Sequence, residues 1–182
     1  MLLPTIDFRS LAAKYEKKLK KIKVALFDVD GVLTDGKIYW SGQEVGWNRV
    51  FHTSDGFGLK MLKTAGCKVG VITGGASMGV KKRFQELLDL DFFYFGSENK
   101  IPAFEEVLIK ANVTPEEVLY MGDEFFDLPL LRQVGFSATT KLASIEIQES
   151  VDYIAHRDPG QGCAREVIDL LRLAQGWIPK HL

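Results

Sequence analysis

The sequence predicts an α/β fold in which a central parallel sheet lies between layers of helix, and three observations predict it. Apolar runs of strand length, near 23–27, 68–72, 92–95 and 118–121, alternate with segments whose apolar residues recur every three or four positions. That alternation belongs to strand–helix–strand units with right-handed crossovers. Three of the runs, ending at Phe27, Ile72 and Met121, finish in polar or acidic loops, which a parallel sheet gathers along one edge. A chain of 182 residues, 46% hydrophobic and 26% charged, fits a single domain over residues 1–182 with a good-sized core.

Residues 1–22 read as an N-terminal helical segment. From Asp7 to Lys21, Phe8, Leu11, Ala12, Tyr15, Leu19 and Ile22 trace an apolar stripe beside five lysines, a cluster more in keeping with a solvated face than with a binding patch. Lys23 to Phe27 is the first strand. Residues 37–51 carry Ile38, Tyr39, Trp40, then Val45, Trp47, Val50 and Phe51 around Ser41-Gly42, which predicts a short inserted β-hairpin. Ser54-Asp55-Gly56 opens a helix that Phe57, Leu59, Met61, Leu62 and Ala65 bury and Gly66 stops. Lys68 to Ile72 is the second core strand and runs into Thr73-Gly74-Gly75. A helix from Ser77 to Leu88 leads to the strand Phe92 to Phe95. The next helix turns Ile101, Phe104, Leu108 and Ala111 inward, with Pro102 admissible only in its first turn. Thr114-Pro115-Glu116-Glu117 has the form of a capping box ahead of the strand Val118 to Met121. Short strands are expected near 136–138 and 153–154. Gln161 to Ala174 closes the chain as a helix with Ala164, Val167, Ile168 and Leu171 inward.

With 23 basic and 24 acidic residues the net charge is -1, so the chain has no global positive field for a nucleic-acid backbone and no nucleic-acid partner is expected. Cys67 and Cys163 stand in no paired metal spacing, which argues against zinc and for a reducing compartment. No apolar run approaches the ~18 residues of a membrane span and the amino terminus lacks a secretory pattern, so no membrane partner and a cytoplasmic location are expected.

The chemistry starts where the first strand drives into Asp28 and Asp30. If strand alternation persists, both carboxylates share a face, and at about 4 Å they repel by roughly 4 kcal/mol at an effective dielectric of ~20. A cation or a shared proton relieves this; so does a solvated turn, and the pair alone does not separate these readings. The other loops do. Phosphoryl transfer through a covalent intermediate needs a nucleophile, a cation, donors for the phosphoryl oxygens and a proton shuttle. Asp28 is placed to attack phosphorus and Asp30 to protonate the leaving oxygen and then deprotonate water. Asp123 completes a magnesium site, with Glu124 and Asp127 as outer or additional ligands. Thr73 and the Gly74 amide donate to phosphate oxygens, and Lys100 adds positive charge. Each has an ordinary structural alternative, a turn or a solvated side chain, but their joint occurrence at successive strand ends does not.

These residues carry a resemblance. Asp28-Val29-Asp30-Gly31-Val32-Leu33-Thr34-Asp35-Gly36, Ile72-Thr73-Gly74, Ser97-Glu98-Asn99-Lys100 and Gly122-Asp123-Glu124 with Asp127 resemble the four motifs of the haloacid-dehalogenase superfamily. More narrowly they resemble the 3-deoxy-D-manno-octulosonate 8-phosphate phosphatase family, from about Ile22 to Gly176. The resemblance implies a Rossmann-like three-layer α/β/α fold and a Mg2+-dependent phosphatase of lipopolysaccharide precursor synthesis acting on a small phosphorylated sugar acid. It implies Asp28 as nucleophile, Asp30 as acid/base and as metal ligand through its carbonyl, and Asp123 as the remaining protein ligand. It places Thr73, Gly74 and Lys100 at phosphate, and His52, Thr53, Ser54, Asp55, Gly56 and Arg83 near the sugar acid. The sequence departs at Gly75, where the family usually has arginine, at Glu124 in place of a second aspartate, at His52-Thr53-Ser54 and around Arg157-Asp158-Pro159-Gly160.

The intervals 35–54 and 73–100 are too short for a separate cap domain, so the fold is expected capless. Trp40 and Trp47 on the hairpin suit subunit packing, and the resemblance implies a homotetramer; the alternative folds both rings onto their own core. Two competing functions remain: a phosphatase for another acidic sugar or small phosphoester, and a non-catalytic subunit borrowing the fold, against which the intact charge cluster argues.

Overall fold

The computed structural model describes residues 6–178. Two short helices, α1 (Phe8–Lys14) and α2 (Glu16–Leu19), precede β1 (Val24–Phe27). The expected single helix breaks at Tyr15, whose hydroxyl donates to the Asp152 carbonyl (2.9 Å) and whose ring meets Phe136 edge-on. Residues 1–5 of the N-terminal segment lie outside the described residues. The hairpin strands β2 (Tyr39–Trp40) and β3 (Trp47–Asn48) follow, then α3 (Thr53–Thr64), β4 (Lys68–Thr73), α4 (Met78–Lys81) continued by a wider turn through Leu87, β5 (Phe92–Phe95) and α5 (Ile101–Ala111). The capping box at Thr114 forms, its amide donating to the Glu117 carboxylate (3.0 Å), and leads into β6 (Val118–Met121). Next come α6 (Leu128–Leu131), β7 (Phe136–Thr140), α7 (Ile145–Gln148), β8 (Tyr153–Ala155) and α8 (Cys163–Gln175).

Six strands form one parallel sheet in the order β5-β4-β1-β6-β7-β8. Helices cover both faces, so β1 is buried along its whole length and reads as an unbroken apolar run. Alternation divides it between two cores. Ala25 and Phe27 join Leu59, Leu62, Val167 and Leu171 on one face, while Val24 and Leu26 join Phe104, Val107 and Leu130 on the other.

Two helices turn differently from their expected faces. Phe57 and Ala65 of the α3 segment are exposed, because α3 approaches α8 through Gly58, where a Cβ would lie 2.9 Å from Ile168. The Phe57 ring is left outside, under the Arg165 guanidinium. In α5 the fully buried residues are Phe104 and Val107, and Ile101 is exposed.

The hairpin is the insertion between β1 and α3. Its strands are two residues each, with Trp40 opposite Trp47. The two rings pack edge to face on each other at 5.5 Å and remain 55% and 51% exposed, so they do not fold back onto the core. No helix among the described residues is long and apolar enough to cross a membrane.

Candidate active site

The sheet brings the three functional loops together because β1 lies between β4 and β6, with Phe27 in register with both Val71 and Met121. Asp28, Thr73 and Asp123 therefore leave adjacent strands at one edge. The Asp28 amide donates to the Met121 carbonyl (2.8 Å), extending the ladder by one residue. The strand itself ends at Phe27, and residues 29–33 form a wide loop turn, non-helical at Asp30 and Gly31, closed by the Thr34 amide on the Val29 carbonyl. Strand alternation thus stops before Asp30, which corrects the expectation that the two carboxylates share a face: Asp28 pairs with Lys100 and Asp30 with Arg49. Gly31 makes the turn possible. Its φ is +87°, and a Cβ there would overlap the Asp123 carboxylate at 1.9 Å.

Asp28 is 2% exposed, Lys100 1% and Asp127 0%, so the centre of the site is a desolvated charge cluster. The Lys100 ammonium lies 2.8 Å from Asp28 Oδ1, 2.7 Å from Asp127 Oδ1 and 3.1 Å from the Tyr120 hydroxyl. It donates hydrogen bonds to Asp127 and Tyr120 and forms an ion pair with Asp28. Tyr120, from β6, donates in turn to Asp127 Oδ1 (2.5 Å). Asp127 Oδ2 accepts the Asp123 and Glu124 amides, both at 3.0 Å, which fixes the loop that carries Asp123.

Asp28, Asp123 and Asp127 bring one carboxylate oxygen each within 4.8 Å of one another. Both oxygens of Asp127 are already engaged, whereas Asp123 Oδ1 is buried with no hydrogen-bond partner. Burial raises the Asp123 carboxyl to about 8, helped by the Asp28, Asp127 and Glu124 charges. Burial likewise raises Asp28 to about 7, although Lys100 opposes it. Two desolvated carboxylates, one with an orphaned oxygen, suit a hard divalent cation that prefers oxygen ligands.

Asp30 is held by a residue that no sequence pattern marked. Arg49, just past β3, forms a two-pronged ion pair with it, Nε to Oδ1 at 2.5 Å and Nη2 to Oδ2 at 2.7 Å. Tyr120 was equally unmarked. The available signals were a lone arginine closing an apolar hairpin and a polar hydroxyl in a central strand. Across from them, Thr73 at the end of β4 is buried, and its hydroxyl accepts the Gly75 amide (3.1 Å). A Cβ at Gly74 would meet only Glu98, at 3.6 Å, so the space above that residue is open.

The structure gathers the residues expected near the sugar acid, His52 to Gly56 and Arg83, into a second group, which no hydrogen bond among the described residues joins to the carboxylate cluster. His52 caps α3, its Nδ1 facing Ser54 Oγ at 2.6 Å and accepting the Ser54 amide, while Thr53 is the first residue of α3. Asp55 accepts the Gly162 (3.2 Å) and Arg165 (2.7 Å) amides and so holds the start of α8; burial raises its carboxyl. Gly56 lies against the Arg83 guanidinium, and Arg83 with Arg49, Phe51 and Lys82 lines an open cavity of about 500 Å³. Glu124 is exposed and caps its own turn by accepting the Phe125 amide. The altered loop at 156–160 is anchored by buried Glu166, which accepts the His156 (2.8 Å) and Arg157 (3.0 Å) amides.

The profile of the haloacid dehalogenase-like hydrolases matches residues 92–167. The 3-deoxy-D-manno-octulosonate 8-phosphate phosphatase of Salmonella typhi is 38% identical over 161 residues, covering 87% of this chain and 84% of that protein. The chain belongs to that family. A crystal structure of the family enzyme from Moraxella catarrhalis, in complex with a magnesium ion, a phosphate ion and the sugar acid, superposes with a TM-score of 0.84 at 31% identity, covering 90% of this chain and 92% of that one. The cobalt-bound family phosphatase of Haemophilus influenzae superposes with a TM-score of 0.82 at 35% identity, covering 87% and 92%. Members of this phosphatase family are phosphoric monoester hydrolases, and the three-layer parallel fold described above is the family's fold.

Proposed function

We propose that this chain is a magnesium-dependent phosphatase that hydrolyses 3-deoxy-D-manno-octulosonate 8-phosphate to the free sugar acid and phosphate, a step of lipopolysaccharide precursor synthesis. The observation that carries the reading is the buried Asp28–Lys100–Asp127 cluster beside the unpartnered Asp123 oxygen. Asp28 and Asp123 hold the magnesium with the Asp30 carbonyl. When bound, the ion supplies positive charge to the phosphoryl oxygens and lets an anionic nucleophile approach an anionic substrate.

The chain's own residues do the rest. A carboxylate oxygen of Asp28 bonds to phosphorus as the bond to the sugar oxygen breaks, and Asp30 passes its proton to that oxygen. The resulting aspartyl-phosphate is opened by water: Asp30 takes a proton from the water, a new P–O bond forms, and the bond to Asp28 breaks. Lys100 orients the Asp28 carboxylate and offsets charge on the transferring group. Thr73 and the Gly74 amide face the phosphate, and the group from His52 to Gly56 with Arg83 stands on the sugar side.

The whole chain is read as one hydrolase domain, residues 1–182, with the hairpin of residues 37–51 as its insertion. Its companion reading is a cytoplasmic homotetramer. The support for assembly is the hairpin segment, where Ile38, Tyr39, Trp40, Val45, Trp47 and Val50 are all exposed. Phosphate release from 3-deoxy-D-manno-octulosonate 8-phosphate and from a panel of other sugar-acid phosphates tests the substrate. A kcat/KM at least about ten-fold above the panel is expected, and a flat profile overturns the assignment. Light scattering tests the assembly: a monomer retaining full activity overturns it.

Magnesium binding also has a pH signature. The Asp28 and Asp123 carboxyls, raised to about 7 and about 8, hold their protons more tightly in the folded chain than in the unfolded one. Their contribution to stability is full below the ordinary carboxylate range and lost as pH rises through about 7 to 8. Without magnesium the melting temperature should fall over that interval. Magnesium binds the ionised pair, so the increase in Tm on adding it should be larger at about pH 8 than at about pH 6, as read by scanning fluorimetry. An increment independent of pH contradicts the assignment of these two carboxylates.

A further inference from the structure

We propose that Arg49, delivered by the hairpin, is the positioning residue for the Asp30 carboxylate, and that residue 75 is glycine because this ion pair occupies its side-chain space. The proposal rests on the reading of Asp30 as the acid and base of the reaction.

Asp30 lies beyond the end of β1 on a loop, and its side chain is 33% exposed. Apart from Arg49, the side chain within reach of its carboxylate among the described residues is the Thr34 hydroxyl, at 3.4 Å. A carboxylate so placed turns freely unless something grips it, and a proton donor must meet the leaving oxygen in one geometry. Arg49 supplies the grip. Its planar fork engages both carboxylate oxygens, and its own side chain is only 8% exposed. The third arm of the guanidinium is held as well: Nη1 donates to Ser77 Oγ (3.1 Å) and to the Trp47 carbonyl (3.4 Å). One side chain thereby ties the hairpin, the loop after β1 and the loop ahead of α4 to each other.

Gly75 belongs to the same arrangement. It is not among the residues with positive φ, so its backbone does not demand glycine. A Cβ there would instead lie 2.7 Å from Arg49 Nη2 and 3.2 Å from Asp30 Oδ2. A side chain at 75 requires the Arg49–Asp30 fork to shift. The missing arginine after Thr73-Gly74 and the presence of Arg49 are thus one feature: the cation at this edge of the site comes from the hairpin.

The test compares ethyl phosphate, whose leaving alkoxide needs a proton, with p-nitrophenyl phosphate, whose phenolate does not; neither carries a carboxylate. With magnesium present, Arg49→Ala should lower kcat/KM for ethyl phosphate by about 30-fold or more and for the aryl ester by less than about 5-fold. Arg49→Lys should recover little of this, since an ammonium does not hold both oxygens. Gly75→Ala should produce the same ester-selective loss, about 10-fold, in the wild-type background and no further loss in Arg49→Ala. Equal losses on the two esters overturn the proposal, since they mark a guanidinium that binds the phosphate. So does a Gly75→Ala effect that is the same with and without Arg49. Asp30→Asn is the control: a selective loss there with none in Arg49→Ala refutes the positioning role alone, whereas no selective loss in Asp30→Asn removes the parent reading.

Discussion

Asp28→Asn should abolish phosphate release, lowering kcat by at least ~10⁴-fold while leaving the chain folded. The amide matches the carboxylate in shape but does not displace a phosphoryl leaving group under these conditions. Folding survives because Lys100 keeps Asp127 and Tyr120 as partners after losing Asp28. The same substitution removes a buried carboxyl whose ionisation is opposed by desolvation and by Asp127. At about pH 8 without magnesium, the variant's Tm should therefore not fall below that of the unaltered chain. Steady-state phosphate release and a melting curve check both halves. Wild-type turnover in Asp28→Asn would show that the nucleophile lies elsewhere.

Lys100→Met should damage stability and activity together, which separates it from Asp28→Asn. Methionine fills a similar volume but leaves Asp28 and Asp127 facing each other in a site from which water is excluded. Removing one partner from a buried ion cluster costs about 3–5 kcal/mol, or a Tm lower by roughly 6–20 °C for a domain of this size. Loss of the charge opposite the transferring phosphoryl group should lower kcat by a further ~10²–10³-fold. Lys100→Arg should not restore either property, because the ammonium fits among three partners with no room for a larger planar group. Calorimetry with and without magnesium measures the first effect, and saturation kinetics the second. A variant that melts within a few degrees of the unaltered chain would mean that Lys100 does not hold the two buried aspartates together.

The edge of the sheet and the acids upon it were legible because both are local properties of the chain. A strand buried on both faces must be apolar throughout, and the switch from β1 to Asp28, from β4 to Thr73 and from β6 to Asp123 is visible within a few residues. Helix α8 was similarly plain, its four inward residues repeating at helical spacing. Parallel pairing then made convergence of the three loops a consequence of topology.

What the chain alone left undetermined is which partner each of those side chains takes. Asp30 meets Arg49 across 19 residues, Tyr120 meets Lys100 across 20, and Asp55 meets Arg165 across 110. Phe57 turned outward because Gly58 let two helices approach, not because of its own hydrophobicity. Spacing along a strand or helix decides which face a residue occupies, and that period is written in the sequence. Hydrogen bonds and ion pairs form between groups within about 3 Å of each other, a separation set only when distant segments pack.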